Sequence, residues 1–111
     1  MQKSRYDMDS IDDRELQTAL LGRLRGWKQA GKAIERTFEF ADFRTALAFV
    51  DEVGEKAEDL RHHPDVDIRY NKVRFLLTSH DAGGLTRLDL ILAGYINEIA
   101  TKYGKQQRKT A

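Results

Sequence analysis

The sequence predicts an α+β fold in which two antiparallel hairpins lie under helices packed on one face. Three observations predict it. Apolar spacing along the 111 residues runs helix, two strands, helix, two strands, helix. Each pair of strands is separated by a short turn. No internal repeat or linker divides the chain, so one domain over residues 1–111 is expected, with flexible tails at about 1–9 and 105–111.

Ser10-Ile11-Asp12-Asp13 places a hydroxyl three residues before a carboxylate, the pattern of a capping box. Leu16, Leu20 and Leu24 follow at four-residue spacing and predict a first amphipathic helix, fraying at Gly22 and Gly26. Trp27 to Ala30 is bounded by Gly31-Lys32, a glycine-first pair suited to a type II′ hairpin turn. Beyond it Ile34, Phe38 and Phe40 alternate with Glu35, Thr37 and Glu39, a strand with one buried face that Arg36 interrupts. Asp42 is the expected N-cap of a long second helix, whose stripe is Phe43, Leu47, Val50, Val53, Ala57 and Leu60. Pro64 is expected to end it, because proline disfavours the helical conformation at the residue before it.

Val66, Ile68 and Tyr70 alternate with Asp65, Asp67 and Arg69 as a third strand, and Asn71-Lys72 is the expected turn, since asparagine tolerates positive φ. Val73, Phe75 and Leu77 line one face of a fourth strand that the pattern carries to His80. Thr86-Arg87-Leu88-Asp89 repeats the hydroxyl-x-x-carboxylate start. The helix after it is apolar over more than one face from Leu88 to Tyr103, which suggests contact with the sheet and with a second subunit, and Gly104 stops it.

Composition excludes several classes. Lys and Arg total 19 against 18 Asp and Glu, a formal charge of +1, which argues against nucleic-acid binding through a global basic field. No cysteine is present, so there is no disulfide framework, thiolate nucleophile or cysteine zinc site. The first 13 residues are polar without an apolar core, and no apolar run approaches the roughly 20 residues of a membrane span. A cytoplasmic protein without membrane contact is the expectation.

All three histidines, His62, His63 and His80, and the single proline fall within one stretch. Histidine is the side chain that gives or takes a proton near neutral pH, so the cluster points to proton transfer. Each residue also has a plainer account. His62 suits a helix C-terminus, where a cation favours the dipole. His63 is the residue before proline, and His80 fits a surface strand. Glu58 lies four residues before His62 and can orient it across one helical turn. Asp89 completes a cap with Thr86, and Trp27 either packs the hairpin or walls a flat ligand. Imidazoles also bind metals, but sequence neighbours seldom point at one ion, so chemistry without a metal is expected.

Glu58-x-x-x-His62-His63-Pro64, then Tyr70, His80 and Asp89 at their spacings, resembles the signature of the pterin-4a-carbinolamine dehydratases. The likeness extends to Gly26-Trp27, to Phe38-x-Phe40-x-Asp42-Phe43 and to Tyr70-Asn71-Lys72-Val73, from about residue 27 to 103. The resemblance implies a four-stranded antiparallel sheet with three helices on one face. It implies a lyase without metal or cofactor that dehydrates a 4a-hydroxytetrahydropterin to the quinonoid dihydropterin in tetrahydrobiopterin recycling. His62, His63 and His80 would be the acid/base group. Glu58, Asp89, Thr78 and Ser79 would support them, Trp27 would wall the pterin pocket, and Pro64 would fix the histidine pair. A homodimer or homotetramer and a link to an aromatic amino acid hydroxylase are implied as well. Relatives that serve as a transcriptional cofactor or assist assembly supply the alternative, a non-enzymatic interaction module on the same fold.

Overall fold

The structure is a computed structural model that describes residues 10–103. Its elements are helix α1 (Asp13–Leu21), strands β1 (Lys28–Ala30) and β2 (Ala33–Glu39), helix α2 (Phe43–Leu60), strands β3 (Asp65–Arg69) and β4 (Lys72–Leu77), and helix α3 (Arg87–Ala100). Short 3₁₀ turns cover His80–Ala82 and Thr101–Tyr103. The expectations for the two tails and for a stop at Gly104 lie outside the described residues.

The four strands form one antiparallel sheet in the order β1-β2-β4-β3. Both hairpins are present, and α2 carries the chain from β2 across to the far edge so that β4 returns beside β2. Ile34 and Phe38 of β2 and Val73, Phe75 and Leu77 of β4 are buried with Ala46, Phe49 and Val53 of α2 and Leu92 and Ile96 of α3. Phe49 sits at the centre, with its ring 5.1 Å from Phe38, 4.8 Å from Phe40 and 5.7 Å from Phe75. Such tilted aromatic contacts add to the area they bury. The other sheet face carries Glu35, Thr37, Lys72 and Arg74.

Arg36, the residue that interrupts the buried face of β2, is accommodated by a built pocket. Its guanidinium lies 4.3 Å from the Phe38 ring centroid and donates to Arg25 O at 3.0 Å and Asn97 Oδ1 at 2.8 Å. Burial lowers its pKa by desolvation. Gly26, at φ +97°, packs against it so closely that a Cβ would lie 2.6 Å from Arg36 Cζ.

Several local expectations need correction. Asp12, not Ser10, caps α1, accepting from Glu15 N at 2.8 Å, while Ser10 pairs with Thr86 in an isolated bridge. The buried face of α2 is Ala46, Phe49, Val53 and Ala57, and Phe43 and Leu47 lie exposed on its flank. The apolar arc of that helix is wider than the surface it covers. In the second hairpin the turn is Tyr70-Asn71, and the positive φ of 55° belongs to Tyr70. Asn71 instead clamps the end of β2, donating to Phe40 O at 2.6 Å. The breadth of α3 is mostly covered within the chain, since Leu88, Leu90, Leu92, Ala93, Ile96 and Ile99 are all buried.

The end of α2 sets where the histidine pair stands. Arg61 adopts the left-handed conformation, φ 54° and ψ 41°, where glycine is usual. Arg61 N donates to Glu58 O at 3.1 Å and His62 N to Ala57 O at 3.0 Å, the paired bonds of a Schellman motif. The helix therefore stops at Leu60 by its own cap. Pro64 comes too late to end it and stands instead at the entrance to β3.

Candidate active site

Three chain ends converge: the C-terminal cap of α2, the exit from β4, and the N-terminus of α3. The left-handed turn at Arg61 swings His62 off the axis of α2. Its Nε2 then lies 2.5 Å from Asp89 Oδ1 in the first turn of α3. His62 retains only 11% side-chain exposure and Asp89 none. The second carboxylate oxygen, Oδ2, accepts from Thr86 N at 2.9 Å and from Ser79 Oγ at 2.8 Å, and Ser79 Oγ meets Thr86 Oγ1 at 2.9 Å. No buried side-chain polar atom among the described residues is left without a partner.

The neighbouring pair is built differently. His63 Nε2 lies 2.5 Å from Glu58 Oε2, with 61% and 74% of the two side chains exposed. The expected pairing is thus crossed: Glu58 meets His63, and His62 turns to Asp89. An i to i+4 contact requires the helix to continue, and it does not. Pro64, half-buried, follows directly and holds the chain extended into β3.

His80 is not the last residue of β4. The strand ends at Leu77, Ser79 bridges to Gly84, and His80 opens a 3₁₀ turn, exposed. Its ring makes no hydrogen bond among the described residues. Thr78 donates to Lys32 O at 2.6 Å. Trp27 is 4% exposed and its indole N–H donates to Asn97 Oδ1 at 2.8 Å. Asn97 lies eight residues beyond Asp89 on α3, about 12 Å along the axis. The structure thus brings together His62, Asp89 and Ser79, and beside them His63 and Glu58, while Trp27 and Thr78 are tied to other partners.

One member of the group has no sequence signal for its place in the site. Thr86 reads as a helix cap and is one, but its hydroxyl also meets Ser79. Nothing in the sequence separation of seven residues discloses that contact, because it requires the turn after β4 to fold back through the Ser79–Gly84 bridge.

An imidazole backed by a buried, fully hydrogen-bonded carboxylate is fixed in orientation and can take or return a proton at its other nitrogen. A second imidazole in contact with solvent, with its own carboxylate, can exchange protons with water.

Residues 9–99 match the sequence family described as pterin 4 alpha carbinolamine dehydratase. A protein of Thermomicrobium roseum named as a pterin-4-alpha-carbinolamine dehydratase is 48% identical over 94 residues, covering 85% of this chain and all of that one. One of the same name from Koribacter versatilis is 52% identical over 90 residues, 81% of this chain and 95% of that one. Among solved structures, a transcriptional coactivator/pterin dehydratase from Brucella melitensis superposes with a TM-score of 0.79 at 37% identity, covering 83% of this chain and 99% of that one.

Proposed function

This chain belongs to the pterin 4 alpha carbinolamine dehydratase family, and we propose that it removes water from a 4a-hydroxytetrahydropterin to give the quinonoid dihydropterin. The observation that carries this reading is the contact of His62 with the fully buried Asp89, beside the solvent-facing pair of His63 and Glu58.

The reaction asks for two proton movements and little else. The C4a–O bond breaks, the N5–H bond gives up its proton, and the electrons of that bond form C4a=N5. Hydroxide leaves poorly unless it departs as water, so an imidazolium donates to the leaving oxygen while a neutral imidazole accepts from N5. His62, His63 and His80 are the proposed acid/base group, with Asp89, Ser79 and Glu58 in support and Pro64 holding the pair. Trp27 is a proposed wall of the pterin pocket from the resemblance, its indole buried and its N–H bonded to Asn97 Oδ1. An aromatic amino acid hydroxylase is the proposed source of the carbinolamine, in the cytoplasm. A homodimer or homotetramer is proposed on the exposed Phe43 and Leu47 of α2 rather than on the largely covered α3.

Stopped-flow dehydration of a freshly generated 4a-hydroxytetrahydropterin tests the reading. Acceleration over buffer that persists in chelator is expected. A rate equal to buffer at high protein concentration favours the interaction module, and loss of rate to chelator alone favours a metal enzyme.

A further inference from the structure

Ser79, Thr86 and Asp89 are the only buried polar side chains among the described residues, and all three belong to one hydrogen-bonded chain that ends on His62. Burying polar groups is unfavourable unless every one is satisfied, and apolar side chains of similar size fill such a place without that requirement. A helix cap alone does not require the arrangement. The capping box uses the Thr86 oxygen as acceptor for Asp89 N and the Asp89 carboxylate as acceptor for Thr86 N, and neither bond needs the Thr86 O–H proton.

The directions of the bonds follow from donor counts. Ser79 has one hydroxyl proton, and it goes to Asp89 Oδ2. In the 2.9 Å contact between the two hydroxyls Thr86 Oγ1 is therefore the donor and Ser79 the acceptor. Asp89 Oδ1 faces His62 Nε2. An ionised carboxylate only accepts, so Nε2 carries the proton and Nδ1 is the ring atom left to exchange one with the substrate.

We propose that Thr86 is a positioning residue for the dehydration. Its hydroxyl orders Ser79, Ser79 orders Asp89, and Asp89 holds His62 in the Nε2–H tautomer with Nδ1 toward the reacting pterin. Each bond polarises the next, so the chain acts as a unit. Thr86 is itself fixed from behind by its backbone bridge to Ser10. The inference rests on the proposed reaction for its catalytic consequence, but not for the tautomer, which can be measured without turnover.

The test compares Thr86→Val, which keeps the shape and removes the hydroxyl as both donor to Ser79 and cap acceptor, with Thr86→Ser, which keeps both. Thr86→Val is expected to lower kcat about tenfold with KM changed by less than about twofold, and Thr86→Ser to retain most of the rate. Nitrogen-15 NMR of neutral His62 should show the Nε2–H tautomer in the wild type and in Thr86→Ser, with the Nδ1–H form appearing in Thr86→Val. A wild-type His62 protonated at Nδ1, or a Thr86→Val protein with unchanged tautomer and unchanged kcat, overturns the proposal. Should Thr86→Val fail to fold, Ser79→Ala carries the same two measurements and the wild-type tautomer still decides. A wild-type protein with the Nε2–H tautomer and no dehydration refutes the proposed function while supporting the relay.

Discussion

His62 with Asp89 and His63 with Glu58 are the same contact at the same 2.5 Å, adjacent in the chain, and the surroundings make them different devices. The first pair is backed by a helix N-terminus and two hydroxyls that have left water. The second stands in solvent, where an ion pair is screened and is worth about 0–1 kcal/mol. A distance alone does not say what a pair of charges does. Burial and the bonds behind the carboxylate decide whether it fixes an imidazole or merely meets one.

On that contrast His62→Ala should remove the most rate. Positioned acid–base groups are worth about 10² to 10⁴-fold, and a loss in that range is expected in rapid dehydration kinetics from a protein whose circular dichroism is unchanged. Asp89→Ala should lose a comparable factor and also about 1–3 kcal/mol of stability, because the Ser79 hydroxyl and the Thr86 N–H are left without an acceptor. Denaturant melts of the two variants separate these effects. The double variant should be little slower than the worse single one, since the pair acts as a unit. Full additivity in the rates would dissolve the unit.

Glu58→Gln tests the exposed member. A change in rate of less than about threefold and an unchanged Tm are expected, because solvent replaces what the carboxylate supplied. A loss as large as that of Asp89→Ala would erase the distinction between the pairs. Gly54→Ala should change least in the site and most simply in the fold. The residue is exposed within α2 and an added Cβ meets no atom within 4 Å, so a gain of about 1 kcal/mol is expected from helix propensity. Its rate should equal the wild type, showing that stability of α2 by itself does not set the chemistry.

Much of the fold was readable from local pattern. The capping of α2 by Asp42 and of α3 by Thr86 and Asp89, the glycine-first hairpin and the period-two burial of β4 all depend on neighbours in the chain. Two of the misreadings, the end of α2 and the second hairpin turn, share a physical origin. Left-handed Arg61 and Tyr70 carry no signature, because these residue types adopt positive φ only when the surrounding structure holds them there. Once Arg61 turns the chain, the helical spacing from Glu58 to His62 no longer measures a distance.

The sequence by itself determined the order of elements, the two hairpins and the set of residues from which a proton-handling site is made. Periodicity and capping are short-range, and they survive in a linear reading. Only the tertiary structure decided which carboxylate serves which histidine, and that Thr86 and Ser79 stand behind the buried one. Those contacts span 27 residues from His62 to Asp89 and ten from Ser79 to Asp89. They exist because α2 ends in a left-handed turn and α3 begins against the exit of β4. Their strength comes from the removal of water, which no single stretch of chain accomplishes alone.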